Sequence, residues 1–149
     1  MPTEVVVDQA DNVYIEDRNN AVIRKITPDG RVSTLSGKPG NLNNDGKGSD
    51  AGFWMMGAMI IDKKDNIYVV DAFKIRMVTP ECVVTTKFTS PQVFPYSGLA
   101  LDDKGVFYVS LASGVDKFSD SNIGYVSLSA LKISSVTSMV PQHRQNSDI

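Results

Sequence analysis

Three carboxylates recur at matched places in this chain: Asp8, Asp62 and Asp102, each ending an apolar tetrad. Carboxylate oxygens at equivalent positions of a repeat can converge on a divalent cation, because a hard cation gathers several oxygen ligands at once. Each can also close the hairpin turn that it begins, since an Asp side chain accepts hydrogen bonds from backbone amides two residues on. The repeat by itself accounts for the pattern, so turn closure is the expectation and a cation ring of Asp8, Asp62 and Asp102 is the alternative. Asp17 and Asp71 receive the same reading.

Other chemistry is sparse. Asn41–Gly46 places oxygen ligands at alternate positions with a glycine sixth, as a calcium loop does, but the twelfth position, which needs a Glu, is Gly52. A polar link is the expectation, with calcium the one cofactor the pattern keeps in play. The single histidine, His143, falls in the polar tail 141–149, and Glu4, Glu16 and Glu81 occupy unrelated repeat positions. There is no Gly-x-Ser-x-Gly, phosphate loop or Cys-x-x-Cys. A non-enzymatic protein is expected, with no catalytic residue assigned. Cys82, the only cysteine, excludes an intrachain disulfide and is expected to be a small apolar group within a strand.

Contact chemistry is better represented. Phe53–Met56 sets the only tryptophan beside two methionines. Packing at a junction is one reading; an exposed anchor is the other, since Trp and Met are enriched at contact surfaces. Trp54 and Met55, with Phe73, Lys74 and Arg18 from nearby loops, are the candidate binding residues. The chain carries a net charge of −2, which gives no electrostatic funnel for nucleic acid. The longest apolar run, Phe53–Ile61, is far short of the ~20 residues of a membrane helix. Met1–Glu4 has no basic or apolar leader pattern, so no signal peptide is expected in this chain, and its compartment stays open.

The elements that must position these residues repeat too. Glu4–Asp8 precedes Asn12–Asp17, Ala58–Asp62 precedes Asn66–Asp71, and Gly98–Asp102 precedes Gly105–Ser110. Each unit is an apolar tetrad, a polar turn and an alternating strand with an aromatic, which is antiparallel hairpin chemistry. The Asp anchors lie 54 and 40 residues apart, within reach of the period of propeller blades. Val22–Thr27 and Val32–Leu35 add two strands to the first unit, as Ile75–Thr79 and Val83–Phe88 do to the second. Ile123–Leu128 and 133–140 are expected to supply the last two of the third. The expected division is blades at 3–36, 57–89 and 97–140, a glycine-rich link at 37–56 and the tail at 141–149.

Ile23–Gly30 followed by Val32–Leu35, and Asp65–Asp71, resemble the NHL repeat, and the link Gly37–Phe53 is similar to the connectors of that family. The resemblance covers about residues 3–90 well and 95–140 loosely. It departs at Trp54–Gly57, where the family usually has proline, and in the third repeat, which lacks the Ile-Arg-Lys-Ile strand. It implies an all-β propeller of about three four-stranded blades. A binding or scaffolding module that engages a protein or other ligand through its loops would follow, the rival being a metal-dependent hydrolase or lyase with its site in a central channel. Some members bind RNA through a basic face, and Arg18, Arg24, Lys25 and Arg31 are the residues that would do so; the acidic whole argues against it.

Propellers close with roughly four to eight blades. Three blades leave two apolar faces open, and Val5–Val7 shows no polar capping. A six-bladed ring from two copies is the first expectation. A piece of a longer chain is the second, and an open partial propeller held by other subunits is the third.

Overall fold

The computed structural model describes residues 1–90, 96–112, 114–119 and 122–127, the last stretch for its strand placement only. The expected strand at 133–140, His143 and the tail lie outside the described residues. Alternation of β-branched and aromatic residues with polar ones builds three antiparallel sheets. The first holds β1 (Pro2–Val7), β2 (Val13–Asp17), β3 (Val22–Ile26) and β4 (Val32–Ser36) in chain order. The second contains β5 (Gly46–Lys47), β6 (Met56–Ile61), β7 (Ile67–Asp71), β8 (Lys74–Val78) and β9 (Val83–Thr89), with β5 added outside β9. The third holds β10 (Gly98–Leu101), β11 (Phe107–Leu111), β12 (Gly114–Ser119) and β13 (Asn122–Ser127).

The first long strands, β1, β6 and β10, run beside one another, so the sheets stack as consecutive blades of a partial β-propeller. Blades 1 and 2 share one core: Tyr14, Ile23 and Leu35 meet Met59, Ile67, Val69, Val78 and Val84, with Ala51, Phe53 and Met56 of the link as the wedge. Blades 2 and 3 share another, in which Tyr68, Val70 and Ile75 meet Phe107, Val109 and Phe118. β7 thus turns Ile67 and Val69 to the preceding blade and Tyr68 and Val70 to the following one. Among the described residues no helix is long and apolar enough to cross a membrane.

Two expectations are corrected. The third strand of blade 3 is Gly114–Ser119, and Asn122–Ser127 is its fourth, not its third. The Asp116-Lys117 pair hides β12 in the sequence, yet Asp116 is buried. Within the glycine-rich link at 37–56, Gly46–Lys47 pairs with Val83–Val84. Cys82 lies in a turn, not a strand: it is half-buried at φ 68°, the place that Gly30 holds at φ 85° in blade 1. Thr79–Cys82 repeats the turn Thr27–Gly30, whose last residue is left-handed.

Candidate functional site

Each of the three repeated aspartates holds its own hairpin. Asp8 Oδ1 accepts from the amides of Ala10 (2.9 Å) and Asn12 (2.8 Å), while Oδ2 accepts from Asn12 Nδ2 (2.7 Å) and the Tyr14 hydroxyl (2.9 Å). Asp62 repeats the set with Lys64, Asn66 and Tyr68, and Asp102 with Lys104, Val106 and Tyr108. The residue that closes each turn is left-handed: Asp11, Asp65 and Gly105. At Asp8 and Asp62 burial is the largest influence and would raise the carboxyl, but the hydrogen bonds of each turn, led by those from Asn12 and Asn66, together hold both below the ordinary value. At Asp102 the Val106 amide leads in the same direction. Among the described residues no three His, Cys, Asp or Glu side chains gather in a way that could hold a metal ion.

Asp71 behaves differently from those three. Its Oδ1 accepts from the amides of Trp54 and Met55, both at 2.8 Å, and its Oδ2 from Arg76 Nη1 at 2.9 Å. The Asp71 turn is therefore not self-closed; the carboxylate pins the incoming link instead. Asp17, its counterpart in blade 1, accepts from Asn20 Nδ2 at 2.8 Å and from Arg24 Nε at 3.3 Å, and Asn20 leads in lowering its pKa. Arg76 is fully buried, 5.5 Å from the centre of the Phe53 ring. It donates to Asp45 Oδ1 (2.9 Å) and to the carbonyls of Asn44 (2.7 Å) and Gly52 (3.1 Å). Asp45 also takes the Thr86 amide and hydroxyl, so the oxygen-rich run at 41–46 is a strap docked on blade 2. Gly52 is required there: a Cβ would lie 1.5 Å from the Asn41 carbonyl oxygen.

The five residues chosen from the sequence share one end of the blades. Trp54 and Met55 enter β6, and the Met55 carbonyl accepts from Ala72 N at 2.9 Å, which sets them beside the β7–β8 turn carrying Phe73 and the start of β8 at Lys74. Arg18 begins the corresponding turn of blade 1, where its amide donates to the Met1 carbonyl. The Phe53–Met56 run divides: Phe53 and Met56 are buried, whereas Trp54 and Met55 are 50% and 40% exposed. Arg18 is exposed, and Phe73 and Lys74 are half-buried.

The opposite end carries the aspartate turns and a cleft of about 970 Å³ between blades 2 and 3, lined in part by Ile60, Asp62, Tyr68, Leu99, Asp102 and Phe107. Sequence reasoning missed this cleft, which exists only once two blades are stacked. It also missed Glu16, buried on the Tyr14 face of β2, with Oε2 accepting from Thr3 Oγ1 at 2.7 Å and Oε1 unpartnered. Burial pushes the Glu16 carboxyl up, against the opposing effect of that hydrogen bond.

No protein-family model matches the sequence, and no curated protein matches it. Solved structures do. Virginiamycin B lyase from Staphylococcus aureus is 18% identical over 85% of this chain and 41% of its own, with a TM-score of 0.66. An auxiliary nutrient binding protein from Bacteroides thetaiotaomicron is 18% identical over 81% of this chain and 36% of its own, with a TM-score of 0.62. Another from Bacteroides ovatus is 19% identical over 83% and 37%, with a TM-score of 0.60. The chain thus spans about two fifths of these relatives' length, and the likeness shows a propeller-type fold.

Proposed function

We propose that the chain is three blades of an NHL-type propeller and works as a non-enzymatic binding or scaffolding module. Its contact surface is the loop end bearing Arg18, Trp54, Met55, Phe73 and Lys74. The observation that carries this reading is the state of Trp54 and Met55. Their side chains are exposed while their amides are locked to Asp71 by two 2.8 Å bonds. An aromatic anchor on a fixed backbone loses little conformational freedom on binding, which is what an interface hot spot requires. The rival metal-dependent hydrolase or lyase would draw on Asp8, Asp62 and Asp102, whose oxygens already serve their own turns.

The test is selection of a displayed peptide library on the immobilised chain, followed by affinity measurement against Trp54→Ala, Met55→Ser and Lys74→Glu. Binders should lose at least about tenfold in affinity on Trp54→Ala. Binders indifferent to all three substitutions would remove the loop end from consideration. The proposed closure of a six-bladed ring by two copies predicts a light-scattering mass near twice the 16.2 kDa of the chain; a concentration-independent monomer would end it.

A further inference from the structure

The two junctions between blades use the same repeat positions, but at the aspartate-turn end the first is bridged and the second opens into the cleft of about 970 Å³. Between blades 1 and 2, Gln9 donates through Nε2 to the Lys63 carbonyl at 2.8 Å and through its amide to Asp65 Oδ1 at 3.3 Å. Between blades 2 and 3 the residue matching Gln9 is Lys63, and the residue matching Asp65 is Gly105, which brings no carboxylate. Lys63 reaches Asp103 instead, at 3.4 Å with the side chains 93% and 94% exposed, a contact worth little.

A second exchange widens the difference. The bulge of β4 turns Leu35 into the core of blades 1 and 2, whereas the matching bulge of β9 carries Lys87 to the cleft. Leu99, Leu101 and Met77 give the cleft apolar walls, and Tyr68 and Phe107 meet edge to face in its depth, ring centres 4.7 Å apart. Lys63, Lys64 and Lys87 stand exposed around it. Asp62 and Asp102 line it too, but their oxygens already accept from the amides and tyrosines of their own turns. The cleft therefore offers aromatic surface and ammonium donors, with its carboxylate acceptors already used, in a volume that suits a small organic molecule.

We infer that this cleft binds an aromatic organic anion, its ring system between the blades and its charged group at Lys63, Lys64 and Lys87. Ring contacts and apolar burial give affinity, and the ammonium groups select the charge. The site lies at the opposite end of the blades from Trp54 and Met55, so the two proposals fail independently.

The probe is anilinonaphthalene sulfonate, an aromatic anion whose fluorescence rises in apolar surroundings, titrated against the whole chain. Saturable one-to-one enhancement is expected, displaced by naphthoate at least about tenfold better than by uncharged naphthylmethanol. Lys87→Leu, which installs the residue of blade 1, should weaken binding at least about fivefold. The double variant Lys63→Gln/Gly105→Asp rebuilds the Gln9–Asp65 bridge and should abolish it. That backbone accepts the change, because Asp11 and Asp65 hold the same left-handed place and a Cβ at Gly105 meets nothing within 4 Å. Circular dichroism and cooperative unfolding check that the variant is folded. Enhancement that survives the double variant, or that never saturates, would overturn the proposal. So would equal competition by naphthylmethanol, or an equal loss on Lys38→Glu in the exposed link, which would reduce the effect to overall charge.

Discussion

Asp71 and Arg76 form an ion pair 2.9 Å long with both side chains wholly withdrawn from solvent. Two desolvated charges are retained here because together they hold the strap 44–55: the guanidinium binds its carbonyls and Asp45, and the carboxylate binds its last two amides. Such a pair does its work through position more than through net Coulomb energy.

Arg76→Met should therefore cost about 3–5 kcal/mol, because Asp71 is left buried and uncompensated. Chemical denaturation checks this. The double variant Asp71→Asn/Arg76→Met should lose less than the sum of the single changes, since the two act as a unit.

The aspartate turns set the acid limb of stability. The Asp8, Asp62 and Asp102 carboxyls titrate below the ordinary value of 3.8. Below that value the folded state binds fewer protons than the unfolded chain. Their contribution is thus complete at neutral pH and lost as pH falls through the depressed folded values. The melting temperature should drop below about pH 4, and Asp62→Asn should lower it at neutral pH while flattening the acid limb.

Glu16 should show the opposite sign. Burial raises its carboxyl above 4.5, so the folded state holds this proton more tightly than the unfolded one. The cost of ionisation is present in full above the raised value and is relieved as pH falls toward 4.5. Glu16→Gln should raise the melting temperature at pH 7 and leave it unchanged at pH 4; equal effects at both would show that charge is not the cause.

Cys82→Gly should stabilise the chain by about 0.5–1 kcal/mol, because a left-handed residue with a Cβ is strained where glycine is not. The gain is trimmed by the partial packing of Cys82 against the core of blades 1 and 2. Urea denaturation reads the difference, and Gly30→Cys at the equivalent turn should give the reverse.

The hairpins and the aspartate turns were legible because each is written within about five residues: donor, acceptor and left-handed closer are neighbours in the chain. Arg76 was not, since an arginine in a strand reads as a solvent-facing residue and its partners lie as far off as Asn44. Asp71 looked like another turn aspartate, yet its distinguishing contacts are with Trp54 and Met55 across the blade. β12 was obscured because its alternation runs through a buried charge, Asp116, whose partner Tyr96 sits on another element. Of the candidate site, the shared end of Trp54, Met55, Phe73 and Lys74 follows from strand order; which side chains face outward there depends on packing between blades.

The strap has a mechanical meaning as well. Residues 44–55 are fastened to blade 2, whereas Lys38, Pro39 and Gly40 are exposed as the chain leaves β4. Blade 2 and its strap therefore form one packed unit, which meets blade 1 through the shared core and the Gly37 amide bonded to the Gly48 carbonyl. Tension along the backbone reaches Asp45 and Arg76 before it reaches the strands of blade 2, so this contact is a latch that must open before that blade can be pulled apart.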